Sequence, residues 1–197
     1  MNINWQFREL HLKIVYYGPA LSGKTTNLEQ IHARINPQNC SELVSLKTHE
    51  DRTLFFDFMQ VELGKISGLQ PKIHLYTVPG QSYYEASRRL VLRGADGVVF
   101  VADSAPDRMT ADLNAWRELE AHLRSFDLTP SETPTIIQCN KQDRPDAMSV
   151  QQLKDFLHTN HLPAFPAVAV QGDGVFDTLK AITSGVLCKL QSQFMPA

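Results

Sequence analysis

The chain reads as one α/β domain of the P-loop NTPase class, a mostly parallel sheet with helices on both faces. Three observations predict this. Strand-like and helix-like segments alternate from end to end. Residues 98–102 (VVFVA) and 135–139 (TIIQC) are continuous apolar runs of the kind that fit strands covered on both faces. Residues 18–25 (GPALSGKT) match G-x-x-x-x-G-K-[ST] between a strand and a helix.

The elements follow in order. Residues 10–17 (LHLKIVYY) are a strand running into Gly18. Residues 24–35 follow as a helix, with Leu28, Ile31 and Ile35 on one face. Asn36-Pro37-Gln38-Asn39 breaks it, and residues 40–52 read as a polar, mobile loop. Residues 53–58 and 61–63 are extended. An antiparallel strand fits there, because residues 64–71 can turn the chain into the alternating strand 72–77 (KIHLYT). Helices are expected over 82–92, 112–126, 150–157 (capped by Ser149) and 175–190, and a short strand over 167–170.

Composition narrows the class. The 197 residues are 43% hydrophobic and 20% charged, which excludes a disordered or collagen-like chain. Nineteen basic against twenty-one acidic residues leave a net charge of −2, without the basic excess of a nucleic-acid binder. Cys40, Cys139 and Cys188 match no zinc or CxxC spacing, so a reduced, cytoplasmic setting is expected. The N-terminus lacks a signal-peptide core, no run is long enough to span a membrane, and no lipidation box is present. A monomer without a stable membrane anchor is the expectation. The seven histidines show no paired ligand spacing and are assigned structural or surface roles.

Three motifs carry chemistry. In the P-loop, backbone N–H groups of Ala20, Leu21, Ser22, Gly23, Lys24, Thr25 and Thr26 form an anion nest at a helix N-terminus. Lys24 adds a point charge for β- and γ-phosphates, and Thr25 offers a hydroxyl to Mg²⁺. Asn140-Lys141-Gln142-Asp143 follows a buried strand. The two Asp143 oxygens can accept from N1–H and the exocyclic amine of guanine, a donor pair that adenine lacks. Asn140 can bridge to the P-loop, the Lys141 stem can cover a base face, and Val168, Ala169 and Val170 can bring a backbone N–H to the guanine oxygen. Thr77-Val78-Pro79-Gly80-Gln81 ends a strand, where the Gly80 N–H can sense a γ-phosphate and Gln81 can orient water. Each motif has a blander reading as a polar or Pro-Gly turn; their order along one chain weighs against it. Asp103, after VVFVA, leaves open an ATP-using P-loop enzyme.

KIVYYGPALSGKTTNL, EDRTLFFDF, HLYTVPGQ, RGADGVVFVADSAP and NKQD together resemble the MglA-type bacterial Ras-like small GTPases of gliding motility and cell polarity. The likeness spans residues 12–143, and GDGVFDTLK carries it further. It implies a Ras-like fold, a GTP/GDP switch with Mg²⁺ and slow GTP hydrolysis, recruitment to cell poles, and an activator of the MglB roadblock type. It places Thr53 at the switch threonine that coordinates Mg²⁺, Gln81 at the water-positioning glutamine, and Arg52 at an arginine finger supplied in cis. Leu54, Phe55, Phe56, Phe58, Tyr83 and Tyr84 either dock such a partner or belong to the core.

The chain departs from the Ras-like pattern at three positions. Ala20 stands where a glycine is usual, which brings a methyl group toward the γ-phosphate and opens the reading of a GTP-gated adaptor that barely hydrolyses. Thr77 stands where most small GTPases have Asp, so Mg²⁺ is expected to be loosely held with GDP. Val170 replaces a base-packing lysine.

Overall fold

A computed structural model describes residues 2–46, 56–66, 68–80 and 84–194. Its sheet is ordered around the first long strand, β2 (Glu9–Tyr17), which pairs in parallel with β5 (Gln70–Thr77) on one side and β6 (Gly97–Asp103) on the other. Outward from β6 come β7 (Thr135–Asn140) and β8 (Ala164–Pro166), both parallel. Outward from β5 come β4 (Phe56–Glu62) and β3 (Val44–Leu46), both antiparallel. β1 (Asn2–Asn4) pairs antiparallel with the start of β2, on the side that β6 reaches only from Ile14 onward.

Two helix layers cover the sheet, and the strand pattern shows why. Val98, Phe100 and Ala102 of β6 face α2 (Glu85–Leu92), α3 (Met109–Arg124) and α4 (Val150–Leu157). Val99 and Val101 face α1 (Lys24–Arg34) and α5 (Val175–Phe194). With both faces covered, every residue of β6 and β7 is buried, as their apolar runs require. Phe100 and Trp116 pack edge to face with centroids 5.1 Å apart. Each such large side chain contributes about 1.5–3 kcal/mol by leaving water. One polar side chain inside β7 is fully satisfied. Gln138 exchanges hydrogen bonds of 2.8 and 2.9 Å with Asn27 and donates to Thr178 at 3.1 Å, joining α1, β7 and α5.

Local chemistry sets the helix ends. Ser149 and Gln152 form a capping box, so α4 begins where the sequence places it. α3 starts three residues before the expected 112, because a short 3₁₀ turn at Pro106–Arg108 leads directly into it. α2 is described from Glu85; residues 81–83 lie outside the described residues.

Two expectations are corrected. The loop expected over 40–52 contains strand β3, whose Ser45 pairs with Asp57; three residues are too short to show a period of two. The strand expected at 167–170 lies earlier, at Ala164–Pro166. As an edge strand it tolerates Pro166, and the chain leaves the sheet after it, so Val168, Ala169 and Val170 are loop. The extended pieces at 53–58 and 61–63 join, over the described part, as the single strand β4.

Candidate functional site

The C-terminal ends of β2, β5, β6 and β7 lie along one edge of the sheet, and the loops that follow them converge there. In open α/β sheets this is where ligands bind. The first loop joins β2 to α1. Its backbone enters the left-handed region at Leu21 (φ 65°) and Gly23 (φ 102°), which turns successive N–H groups inward. Gly23 is required twice, for that φ and because a Cβ there would overlap the Asn140 amide. No side chain caps α1, so its first-turn N–H groups stay open to an anion, in contrast to boxed α4.

Lys24 is the first residue of α1 and is buried. Its ammonium donates to the carbonyls of Gly18 at 3.0 Å and Pro19 at 2.6 Å. Burial pushes its pKa down to about 7, and the nearby Arg88 guanidinium pushes the same way, against Asp57 and Asp112. The charged form is therefore short of a counter-ion, which a phosphate supplies.

Beside Lys24, Thr25 Oγ1 donates to Asp57 Oδ2 at 2.6 Å. Asp57 is only 8% exposed. The hydroxyls of Thr77 (2.9 Å) and Ser45 (2.7 Å) also donate to it, and its own N–H donates to Thr77 Oγ1. Among the described residues no cation forms an ion pair with this buried carboxylate. Thr77 carries no carboxylate, but β4 brings one to its hydroxyl. A carboxylate and hydroxyls at the phosphate end of the loop are the hard oxygen donors that suit Mg²⁺. Sequence reasoning gave Asp57 no role, although it lies in the segment EDRTLFFDF that carries the resemblance; it is also an acid inside the alternating segment FDFMQVE.

At the other end, Asn140 ties two loops together. Its Nδ2 donates to Ser22 O at 2.7 Å, and its Oδ1 accepts from Ala169 N at 2.9 Å. Leu21, Gly23, Thr26, Asn140, Lys141, Asp143 and residues 168–170 line a cavity of about 320 Å³. Asp143 has neither a hydrogen bond nor an ion pair among the described residues. Its loop is held by Gln142, which donates to Ser104 Oγ at 2.6 Å and Met148 O at 2.9 Å. Lys141 (φ 66°) sends its ammonium to Asp103 Oδ2 at 2.6 Å, so its stem lies along the cavity wall. Asp103 is thereby engaged by a lysine on the cavity rim. Arg108, also missed from the sequence, donates to Ala20 O at 2.7 Å and so holds the P-loop from outside.

The Pro79-Gly80 turn closes the phosphate end. A Cβ on Gly80 would overlap the backbone of Ala20, so only glycine fits where the two loops touch. Arg88 of α2 donates to Pro79 O at 3.2 Å. Arg52, Thr53, Leu54, Phe55, Gln81 and Tyr83 lie outside the described residues. Phe56 and Phe58 are half-buried and pack on Tyr76, with centroids 5.8 and 4.8 Å away. Among the described residues no helix is long and apolar enough to cross a membrane.

Comparisons with known proteins agree with this geometry. A profile of the ADP-ribosylation factor family matches residues 2–186. The chain is 48% identical over 189 residues to the mutual gliding-motility protein MglA of Myxococcus xanthus, covering 96% of this chain and 97% of that protein. It is 27% identical over 177 residues to ADP-ribosylation factor-like protein 2 of Drosophila melanogaster, covering 87% and 85%. It is 28% identical over 173 residues to ADP-ribosylation factor-like protein 4D of Mus musculus, covering 88% and 78%. The chain belongs to the ADP-ribosylation factor family of Ras-like small GTPases, with MglA among its relatives, and is a GTP hydrolase.

Proposed function

We propose that this chain, a single domain, is a cytoplasmic GTP/GDP switch that works with Mg²⁺ in the control of motility and cell polarity. One observation carries the nucleotide reading: Asn140 joins the P-loop to residues 168–170 around a cavity whose rim holds the carboxylate of Asp143, unpaired among the described residues. Asp143 accepts from the two guanine donors, Asn140 keeps the pocket shut, the Lys141 stem covers one face of the base, and the 168–170 loop serves the guanine oxygen.

The phosphates lie on the N–H groups from Ala20 to Thr26, with Lys24 as the point charge. Thr25 and Thr53 would hold Mg²⁺, and Asp57 would orient the Thr25 hydroxyl and supply the negative charge that Thr77 lacks. When bound, Mg²⁺ neutralises phosphate charge. The Gly80 N–H reads the γ-phosphate, Gln81 positions the attacking water, and the Arg52 guanidinium stabilises charge on the transferring group. Hydrolysis is slow without a partner, because the Ala20 methyl stands beside the γ-phosphate. The partner is a roadblock-fold activator like MglB. The motility role rests on the likeness to the gliding-motility relative.

Nucleotide extraction, followed by affinity measurement for GTP, GDP and ATP and by phosphate release with Mg²⁺, tests this. The expected result is bound guanine nucleotide and a GTP preference of at least a hundredfold. Equal affinity for GTP and ATP would overturn the base-reading role of Asp143.

A further inference from the structure

On the α2–α3 face, away from the nucleotide loops, one buried side-chain nitrogen has no hydrogen-bond partner among the described residues. His122 of α3 is 4% exposed, and its Nε2 has no hydrogen-bond partner among the described residues. Native proteins seldom leave a buried polar atom in that condition. Its Nδ1 is engaged by the Tyr17 hydroxyl at 3.2 Å. In the tautomer that donates Nδ1–H to Tyr17, Nε2 presents a bare lone pair. That lone pair faces Glu118 Oε1 at 3.7 Å and Glu85 Oε1 at 3.8 Å. Both separations are too long for a hydrogen bond.

We propose that Glu85, Glu118 and His122 form a second metal site, one of transition-metal chemistry and best suited to Zn²⁺. The three ligand atoms all lie within 4.8 Å of one another. A tetrahedral ion with bonds of about 2.0–2.2 Å holds its ligand atoms about 3.3–3.6 Å apart. The separation of Nε2 from Glu85 Oε1 needs to close by only a few tenths of an ångström. One imidazole and two carboxylates suit Zn²⁺ better than Mg²⁺, which prefers oxygen alone, and they leave a fourth position for water.

The surroundings support the site. Tyr17 fixes the imidazole as an outer partner does in metal centres. Glu118 is held by Arg88, at 2.8 Å from Nε and 2.6 Å from Nη2. Both donate to Oε1, so an ion would take the other oxygen of Glu118. Arg88 lowers the affinity by its charge and raises it by orienting Glu118.

The ion would act as a clamp. Glu118 and His122 are one turn apart on α3, and Glu85 opens α2. The same α2 sends Arg88 to the Pro79 carbonyl beside Gly80. An ion here ties the first turn of α2 to α3 next to the turn that touches the P-loop. This goes beyond the nucleotide reading and does not depend on it.

The test is Zn²⁺ titration of the full chain against a chromophoric chelator in millimolar Mg²⁺, for wild type, Glu85→Gln and His122→Gln. Glu85 has a 73% exposed side chain, so its variant keeps the fold even if the buried His122 variant does not. The expected result is one equivalent of Zn²⁺, bound at least about tenfold more weakly by Glu85→Gln and about a hundredfold more weakly by His122→Gln. Zn²⁺ also raises the melting temperature of wild type and not of Glu85→Gln, and the zinc X-ray absorption spectrum shows only nitrogen and oxygen neighbours. No binding below about 100 µM, equal affinity in wild type and Glu85→Gln, or a sulfur neighbour would each overturn the site.

Discussion

Replacing Asp57 by Asn tests whether β4 supplies the charge that the Thr77 position lacks. The change is isosteric. The amide oxygen still accepts a hydroxyl hydrogen, and the amide nitrogen can donate to a hydroxyl oxygen after the Thr25, Thr77 or Ser45 hydroxyl rotates. The fold then loses only the excess of charge-assisted over neutral hydrogen bonds, about 1–2 kcal/mol. The metal loses more. Asp57 lies 2.6 Å from the Thr25 hydroxyl, and removing an outer partner of that kind lowers metal affinity about 10–100-fold, or about 1.4–2.7 kcal/mol. The assay is dissociation of a fluorescent GDP analogue across a Mg²⁺ titration, with a chelator arm. The Mg²⁺ midpoint of Asp57→Asn is expected 10–100-fold above that of wild type, with equal rates in chelator. Superimposable Mg²⁺ curves, or a loss as large in chelator as in Mg²⁺, would refute the reasoning.

Asp143→Ala removes a two-point polar contact, worth about 1–3 kcal/mol, so competition binding shows at least tenfold weaker GDP and an eroded preference over ATP. Ala20→Gly removes a methyl group beside the Gly80 turn, and single-turnover phosphate release rises by up to about 100-fold, the cost of an ångström of misplacement; an unchanged rate disproves the steric argument. Burial pushes the Asp112 carboxyl up to about 7, against the backbone N–H that it accepts from Asp103. The folded state therefore holds more protons than the unfolded chain between pH 4 and 7, and this group makes stability fall as pH rises through that window. Asp112→Asn is expected to gain about 2–3 kcal/mol on wild type between pH 5 and pH 8 in urea unfolding. Ser149→Ala removes the α4 capping box and costs about 1 kcal/mol in the same assay.

Much of the fold was legible because local signals agreed with the tertiary outcome. The buried runs VVFVA and TIIQC are apolar throughout because helices cover both faces, and their period cannot be mistaken for a surface strand. Ser149 and Gln152 mark a helix start by chemistry confined to four residues. The P-loop and the Asn140–Asp143 segment are likewise contiguous, since a nest and a base-reading acid each need neighbouring backbone groups.

Contacts between distant segments were not legible. Asp57 is 32 residues from Thr25 and 20 from Thr77. The antiparallel register of β4 against β5 brings its carboxylate to the Thr77 hydroxyl, and α1 packed beside β4 brings the Thr25 hydroxyl to it; register is a property of paired strands. Arg108 reaches Ala20 across 88 residues, and Glu85 meets His122 only because α2 packs beside α3. By itself the sequence determined the alternation of elements, the phosphate-loop motif, the acid proposed to read the base and the family resemblance, all of which rest on residues close along the chain. The tertiary structure decided which carboxylate stands beside Thr25, where the 168–170 loop leaves the sheet, and which buried histidine nitrogen has no hydrogen-bond partner among the described residues. Those outcomes depend on packing and burial, which arise only when distant segments exclude water together.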